Sequence, residues 1–306
     1  MLRLSSPSGS VRACGSLAGL TAGLAVALAS PILRPASLLA ASGKELNDTA
    51  RQITVLIQGA NPGSGLIVAR DGDRYFVLTR KQVVRAGDRY QIITADKTSH
   101  LPEYQQVKVI PALQLAVLSF RSRANYGVAH LANSDTLRPG ATVFVSGWPN
   151  PGPSIRRRIR QFTAGQLSAR LEPPLADGLA LVYTSATLTG MAGGPLLDAA
   201  GRVVGIHARS GSEAVDPQLE RSGIGQPPAE PGLSFGIPIN AFIDQAPQSG
   251  LDLGLRADNA PAPDLALADV PPSPPDKQDT IDNINKLISN FRRGLGVFKG
   301  IRGFFR

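Results

Sequence analysis

The chain has 306 residues, 42% of them hydrophobic, which suits a globular protein of one large or two small domains. One cysteine and three histidines exclude a disulfide framework and a Cys/His metal site, so we expect neither a metal nor a cofactor. Six of the nine net positive charges follow Asp282, so the basic character belongs to a tail more than to the domain.

Residues 1–42 have the features of an export signal. Arg3 and Arg12 precede an uncharged run from Ala13 to Leu33 that is rich in Leu, Ala and Gly. Ala27-Leu28-Ala29 is a suitable cleavage site, but the run is also long enough to remain as a membrane anchor. Both interpretations stay open. We expect an exported protein, in the periplasm or another extracytoplasmic compartment and associated with a membrane.

Short apolar runs between turns predict an all-β domain over residues 43–250. The chain has few aromatic residues, 32 glycines and 25 prolines. Runs rich in Val, Ile and Leu occupy 53–58, 64–69, 74–79, 89–94, 114–120, 141–146, 179–183, 202–208 and 233–238. Many short strands joined by tight turns are typical of β-barrels and sandwiches.

A series of motifs narrows this prediction to one family. In chain order they are Gly63-Ser64-Gly65-Leu66-Ile67-Val68, Tyr75-Phe76-Val77-Leu78-Thr79, Leu115-Ala116-Val117-Leu118, Val145-Ser146-Gly147-Trp148-Pro149, Gly190-Met191-Ala192-Gly193-Gly194-Pro195, Val203-Val204-Gly205-Ile206-His207 and Phe235-Gly236-Ile237-Pro238. In order and spacing the series resembles bacterial trypsin-like peptidases related to HtrA, over residues 53–243. The resemblance implies two six-stranded barrels, at about 50–125 and 138–245, with the site in the cleft between them.

The resemblance also implies that all three catalytic positions are replaced. The family histidine, which stands before a Val-Val pair, is Gln82 here, and the aspartate before Leu-Ala-Val-Leu is Gln114. The nucleophilic serine of the Gly-Gly-Pro loop is Ala192. A glutamine amide neither accepts a proton near neutral pH nor balances an imidazolium, and a methyl group cannot attack a carbonyl. We therefore expect no peptidase activity.

Other site residues follow from the same resemblance. The amides of Gly190 and Ala192 would form an oxyanion hole, which needs no side chain. Ala186 would lie near the floor of the specificity pocket, whose small uncharged floor argues against selection of basic side chains. The strand containing His207, Ala208 and Arg209 would line the cleft and pair with a bound peptide. For His207 the alternative is a histidine that only fills space on a half-buried strand.

Two segments leave alternatives open. The cluster Arg156, Arg157, Arg158 and Arg160 is either a solvated loop or a site for an acidic partner. No aromatic side chains are interleaved with these arginines, which argues against nucleic acid as a partner. Residues 210–231, rich in Gly, Ser, Pro and Glu, are predicted to form an exposed insertion that either covers part of the cleft or leaves it open.

The carboxyl end is predicted to be a linker followed by a helix. Prolines interrupt residues 251–278, which suggests an extended linker, and too few residues follow the barrels for the PDZ domain of many HtrA-type proteases, so we expect none. Apolar residues at gaps of three or four predict a basic amphipathic helix over 279–306 that binds an anionic membrane surface. Docking on the barrels or on a partner is the alternative. The membrane-binding residues would be Lys286, Phe291, Arg292, Arg293, Phe298, Lys299, Arg302 and Phe305.

Together these features predict an exported pseudoprotease that binds a peptide or protein as a binding or scaffolding module, held to a membrane by its last helix. One alternative is an active serine endopeptidase, through a misassigned triad or an unconventional nucleophile such as Ser185. Another is a structural membrane-associated protein whose cleft is filled by its own residues 210–231. Labelling by a fluorophosphonate tests the first alternative, and protection of that segment from proteolysis tests the second.

Overall fold

Regular structure in the described residues consists of two α-helices and fifteen β-strands. The structure is a computed structural model that describes residues 42–85, 89–212, 230–267, 270 and 279–281. The helices are α1 (Gly43–Ile53) and α2 (Ile239–Gln245). The strands are β1 (Thr54–Gln58), β2 (Gly63–Asp71), β3 (Arg74–Arg80), β4 (Gln91–Ile93), β5 (Ser99–His100), β6 (Lys108–Ile110), β7 (Leu115–Arg121), β8 (Thr142–Gly147), β9 (Arg158–Ile159), β10 (Gln161–Arg170), β11 (Leu181–Tyr183), β12 (Pro195–Leu197), β13 (Val203–Ser210), β14 (Ser234–Pro238) and β15 (Thr280–Ile281).

Thirteen of the fifteen strands form two antiparallel halves, which confirms the predicted all-β class, and β9 and β15 pair with each other. The amino-terminal half is a seven-stranded sheet in the order β5-β4-β1-β2-β3-β7-β6. The resemblance implied six strands here, and the short strand β5 adds a seventh at the edge formed by β4. The carboxyl-terminal half is a closed six-stranded barrel in the order β10-β11-β14-β13-β12-β8.

Central strands are buried on both faces, and this double burial joins the two halves. Successive side chains on a strand point to opposite faces. On β3, Val77 packs inside the first sheet with Ile57. The next residue, Leu78, belongs to a second cluster that it shares with Phe144 and Ile206 of the barrel. The carboxyl end of β3 is therefore held firmly at the junction between the halves.

The helix α1 was not predicted, although the sequence contains a signal for it. The Ser42 hydroxyl accepts a hydrogen bond from the Glu45 amide, and the Ser42 amide donates to the Glu45 carboxylate. This reciprocal capping box is a Ser-x-x-Glu pattern that starts helices. The helix buries Leu46, Ala50 and Ile53 in the core shared by the halves. It thereby packs beside β1 and β2 at the junction between the halves.

The predicted linker is extended, but its first part packs against the barrel. Leu253 and Leu255 pack against the core shared by the halves. The amide of Asp258 donates to the carbonyl of Leu131 at 2.8 Å. Alternating leucines are typical of an extended segment with one buried face. The folded unit therefore extends beyond residue 250, where we expected it to end.

The predicted terminal segments are mostly outside the described residues. Residues 1–41 of the export signal or anchor, 213–229 of the insertion and 282–306 of the amphipathic helix lie there. The helix was predicted to begin at residue 279, but Thr280–Ile281 form β15 and pair with β9. The helix therefore does not include these two residues, because their backbone is extended. Within the described ranges, no helix has both the length and the apolar character needed to cross a membrane.

Candidate functional site

The three positions of the predicted triad lie together where the two halves meet. Gln82 is in a 3-10 turn directly after β3, and Gln114 closes the turn before β7. The amide of Lys81 donates to the carbonyl of Gln114 at 2.8 Å. The carbonyl of Ala192 accepts a hydrogen bond of 3.0 Å from the amide of Ser64 on β2. Neighbouring strands therefore bring the three backbones to one place.

The side chains at these positions have no acid–base or nucleophilic chemistry. Gln82 is exposed, and Ala192 is buried. The Gln114 amide nitrogen donates to the carbonyl of Pro111 at 2.9 Å. Gln114 also has a left-handed backbone with φ of 47°, a conformation that Asp and Asn adopt more readily than most residues. None of these groups takes up a proton near neutral pH.

The loop that precedes β12 has its backbone carbonyls bonded to other residues. The Thr189 carbonyl accepts from the amide of Asn150 at 2.7 Å, and the Gly190 carbonyl accepts from the Ser64 hydroxyl at 2.9 Å. The Met191 carbonyl accepts from the Gly194 amide at 3.0 Å. In a trans peptide the N–H points away from the C=O of the same unit. The N–H groups of Gly190 and Ala192 therefore point away from Asn150 and Gly194.

These two N–H groups have no acceptor among the described residues. Within the described part of the chain, neither the Gly190 amide nor the Ala192 amide donates a hydrogen bond. A buried backbone donor without a partner is costly unless a ligand or water accepts its hydrogen bond. This geometry suits a carbonyl or carboxylate oxygen. The oxyanion hole itself stays a prediction.

Glycine is required in this loop because the backbone has positive φ and close neighbours. Gly193 has φ of 91°. A β-carbon added there would lie 2.3 Å from the carbonyl oxygen of Ser64 and 2.6 Å from the Thr79 hydroxyl. Gly190 has φ of 99° and comparably close contacts with Asn150 and Trp148. The loop is therefore packed directly onto the ends of β2 and β3.

A buried guanidinium supports this loop from behind. Arg158 donates from Nη2 to the Asn150 side-chain oxygen at 3.0 Å and from Nη1 to the carbonyls of Trp148 and Pro149 at 3.4 and 3.3 Å. Burial lowers the pKa of Arg158. Since Asn150 donates to Thr189, Arg158 acts on the loop through Asn150. The roles of Ser64 and Asn150 were not predicted, because they depend on contacts that only the tertiary structure creates.

The interpretation of the arginine cluster as a solvated loop is wrong for two of its four members. Arg156 and Arg157 are exposed, whereas Arg158 and Arg160 are each only 4% exposed. Arg160 donates to the Ser146 hydroxyl at 2.9 Å and to the carboxylate of Asp279 at 2.7 Å. Side chains alternate between two faces along an extended segment, so Arg158 and Arg160, which are two residues apart, point to the same buried face.

The predicted cleft strand is buried at two of its three candidate residues. His207 is fully buried, with Nδ1 2.6 Å from the Tyr183 hydroxyl oxygen. Burial, together with the charge of Arg80, lowers the pKa of His207 to about 3, so its imidazole is neutral. Ala208 is also buried, and Arg209 is partly exposed. His207 therefore fills the barrel wall, as in the alternative interpretation, and Arg209 is the candidate accessible to a ligand.

The remaining candidates differ in accessibility. Ala186 is exposed, and its place near the floor of a specificity pocket stays a prediction. Ser185 is 2% exposed, and its hydroxyl has no hydrogen-bond partner in the described residues. A serine nucleophile needs a base within hydrogen-bond distance, and none contacts Ser185. Among the described residues, no group of three metal-ligating side chains is close enough to hold a metal ion.

Arg80 is a site residue that the sequence analysis did not identify. Its guanidinium is buried at the end of β3, where Nη1 donates to the Leu113 carbonyl at 3.0 Å and Nη2 to the Asp177 carboxylate at 3.4 Å. Asp177 belongs to the barrel half, so this ion pair crosses the junction. A single arginine after Leu-Thr has no pattern that predicts such a role.

Comparison with known proteins agrees with this geometry. Residues 63–206 match the family model described as a trypsin-like peptidase domain. The chain is similar to the serine protease Do-like HtrB of Bacillus subtilis, at 27% identity over 197 residues, which covers 61% of this chain and 39% of that protein. It is similar to the magnetosome formation protease MamE of Magnetospirillum gryphiswaldense, at 28% identity over 208 residues, or 66% of this chain and 25% of that protein.

A third relative is a probable periplasmic serine endoprotease DegP-like of Pseudomonas fulva, 29% identical over 188 residues, which covers 61% of this chain and 34% of that protein. The matches with these three relatives span only 25% to 39% of their length. The similarity therefore concerns the peptidase domain and not the whole of those proteins.

Proposed function

Because residues 63–206 form a trypsin-like peptidase domain of the bacterial HtrA-related kind, we propose that this protein is a pseudoprotease. It binds a peptide or protein segment in the cleft between its two halves and does not cleave it. The alternative nucleophile Ser185 lacks an adjacent base, which argues against an active enzyme.

One observation carries this proposal: the reactive side chains are replaced, while the loop backbone around them stays ordered. Gln82, Gln114 and Ala192 stand at the three triad positions. The carbonyls of Thr189 and Met191 are fixed by the amides of Asn150 and Gly194, which orients the free amides of Gly190 and Ala192. An ordered binding loop without catalytic groups suits a protein that holds a carbonyl or carboxylate.

The barrel also has an unpaired strand segment beside this loop. Pairing between β12 and β13 ends at Pro195 and Ile206. Beyond it, the His207 amide donates to the Gly194 carbonyl, and the His207 carbonyl accepts from the Gly193 amide. In the described residues no strand continues beside Ala208–Ser210 on the β12 side. A peptide in extended conformation can add to such a segment through main-chain hydrogen bonds.

We also propose that the protein is exported and associated with a membrane. The uncharged run from Ala13 to Leu33 and the basic carboxyl end support this proposal. Two relatives whose names include "periplasmic serine endoprotease" support the extracytoplasmic location. The alternative of a structural membrane-associated protein whose cleft is filled by its own residues 210–231 stays a prediction, because residues 213–229 lie outside the described residues.

The test compares the full chain with a revertant that carries Gln82→His, Gln114→Asp and Ala192→Ser. Each protein is incubated with a fluorophosphonate probe and an unfolded protein substrate. We expect no labelling and no turnover from the unaltered chain. The revertant should turn over substrate at least about 100-fold faster, because a complete triad accelerates cleavage by roughly a million-fold.

Labelling or turnover by the unaltered chain would disprove the pseudoprotease. The variant Ser185→Ala then serves as the matched control, since it removes the alternative nucleophile without altering the triad positions. Peptide binding is measured separately, by fluorescence anisotropy with an extended peptide. Absence of binding by any peptide would disprove the binding role.

A further inference from the structure

The accessible side of the cleft carries more positive than negative charge. Arg209 lies on β13, and its guanidinium carbon is 4.1 Å from the centre of the Phe235 ring. A guanidinium stacked on a ring by one face keeps its edge donors available for a planar acceptor. In the described residues Arg209 takes part in no ion pair. It is therefore an oriented cation that lacks a carboxylate.

Arg80 carries a second guanidinium, which belongs to the amino-terminal half of the domain. Arg80 is buried, and its Nε has no hydrogen-bond partner among the described residues. Burial lowers the pKa of Arg80, Asp177 raises it, and the nearby charge of Arg209 lowers it again. Among the described residues, Asp177 is the carboxylate that contacts Arg80. Lys81 adds an exposed positive charge beside them.

The rest of the site has the same polarity. The free N–H groups of Gly190 and Ala192 present partial positive charge. Gln82, Gln114 and Ala186 are uncharged, and the carboxylate of Asp177 is paired with Arg80. The backbone of His207 forms hydrogen bonds with Gly193 and Gly194, and Arg209 lies two residues further along the same strand. Arg209 therefore lies on the strand that contacts the loop with the free amides.

We propose that this cleft recognises a carboxylate of its peptide ligand, and that Arg209 is the residue that binds it. This inference rests on the proposed function, since it names the chemical class of the ligand for the same site. An ionised carboxylate can accept two hydrogen bonds from one guanidinium, a pairing stronger than hydrogen bonds between neutral groups. The carboxylate belongs either to an Asp or Glu side chain or to the carboxyl terminus of the peptide.

The test measures binding of three fluorescent peptides of equal length to the full chain by anisotropy. One peptide has an internal Glu and an amidated carboxyl terminus, and one has Gln there and a free carboxyl terminus. The third has Gln and an amidated terminus, so it has no carboxylate. We expect one or both carboxylate peptides to bind about 10-fold more tightly than the third. Their order identifies the source of the carboxylate.

Two variants separate specific binding from attraction to a basic chain. Arg209→Gln should abolish the preference for a carboxylate, while Arg209→Lys should keep part of it because the charge remains. Arg123→Gln removes an exposed arginine that follows β7 beside the opposite end of β3, and it should leave the preference unchanged. Thermal unfolding of each variant confirms that it is folded.

The outcomes are distinct. If the uncharged peptide binds as tightly as the others, or if Arg209→Gln keeps the preference, the carboxylate inference is wrong and the peptide-binding function stands. If none of the three peptides binds, the proposed function itself fails. A preference that Arg123→Gln weakens as much as Arg209→Gln would also overturn the inference, because it would come from net charge alone.

Discussion

Arg51 and Asp279, separated by 228 positions in the chain, form a bidentate ion pair. Nε of Arg51 donates to one carboxylate oxygen of Asp279 at 3.0 Å, and Nη2 donates to the other at 3.1 Å. Arg51 is in the last turn of α1, and Asp279 stands directly before β15. The pair therefore fastens the segment after the predicted linker to the helix that precedes β1.

The variant Asp279→Ala should lower the free energy of unfolding by about 2 kcal/mol, because Arg51 and Arg160 lose the carboxylate that they share in a mostly buried position. The side chain of Asp279 is 13% exposed, so water weakens this effect relative to a fully buried pair. Urea unfolding provides the measurement. Asp264→Ala is the control, since Asp264 is exposed, and it should change stability by less than about 0.5 kcal/mol. Equal effects of the two variants would show that the pair adds no stability.

The same pair should make stability depend on pH in a defined direction. Burial raises the pKa of Asp279, but hydrogen bonds and charge from Arg51 and Arg160 outweigh it and lower the pKa overall. A carboxylate whose pKa is lower in the folded than in the unfolded state stabilises the fold fully above its unfolded-state pKa of about 3.9. This contribution is lost as the pH falls below that value. The unfolding free energies of the unaltered chain and Asp279→Ala should therefore converge below pH of about 3.9. A constant difference between them would contradict the assigned pKa.

The sequence predicted nine strands that the structure contains, because each is a compact run of Val, Ile or Leu. It missed β10, the longest strand at 10 residues, whose sequence of Gln, Thr, Ala, Gly and Ser has few β-branched or large apolar side chains. Its pairing with β8 and β11 stabilises a strand conformation that its own sequence does not favour. Tertiary context therefore decides this strand.

The site was predictable only where flanking motifs mark positions along the chain. Such motifs located Gln82, Gln114 and Ala192, which the structure brings together. Contacts between distant residues leave no local pattern, so the support of the loop by Arg158 through Asn150 was not predicted. The sequence did not decide whether His207 is buried, because a half-buried strand and a strand lining a cleft show the same alternation of apolar and polar residues.

Two glycines with the same backbone angle allow the packing of the predicted oxyanion loop to be measured. Gly193 and Gly140 both have φ of 91°. A β-carbon on Gly140 meets nothing within 4 Å, whereas one on Gly193 lies 2.3 Å from the Ser64 carbonyl oxygen. Gly140→Ala should cost about 1 kcal/mol of unfolding free energy, from backbone strain alone. Gly193→Ala adds a steric clash with backbone atoms and should cost about 2 kcal/mol more.

Chemical denaturation of the two alanine variants gives the comparison directly. Because the strain from the dihedral angle is common to both, the difference between them reports the contact with Ser64. A loop that moves away from β2 without resistance would make the two costs equal, and the ordered-loop argument for peptide binding would then lose its support.

The buried imidazole of His207 should remain neutral far below the usual range for histidine. Its pKa is lowered to about 3 by burial and by the charge of Arg80, while the Tyr183 hydroxyl bonds its Nδ1. In the unfolded chain histidine takes up a proton near pH of about 6.5. The unfolded state therefore binds more protons between these two values, so acidification destabilises the fold by up to about 1.4 kcal/mol per pH unit through this residue.

NMR titration of the three histidines tests this, with His207→Gln used to assign the resonance. We expect the His207 ring signals to stay constant down to pH of about 4, and the unfolding free energy of His207→Gln to decline less steeply with acidification than that of the unaltered chain. His130→Gln, at an exposed position, is the matched control and should leave that decline unchanged. Titration of His207 near the ordinary value for histidine would mean that water reaches the barrel wall beside the cleft. In that case His207 would face the ligand after all.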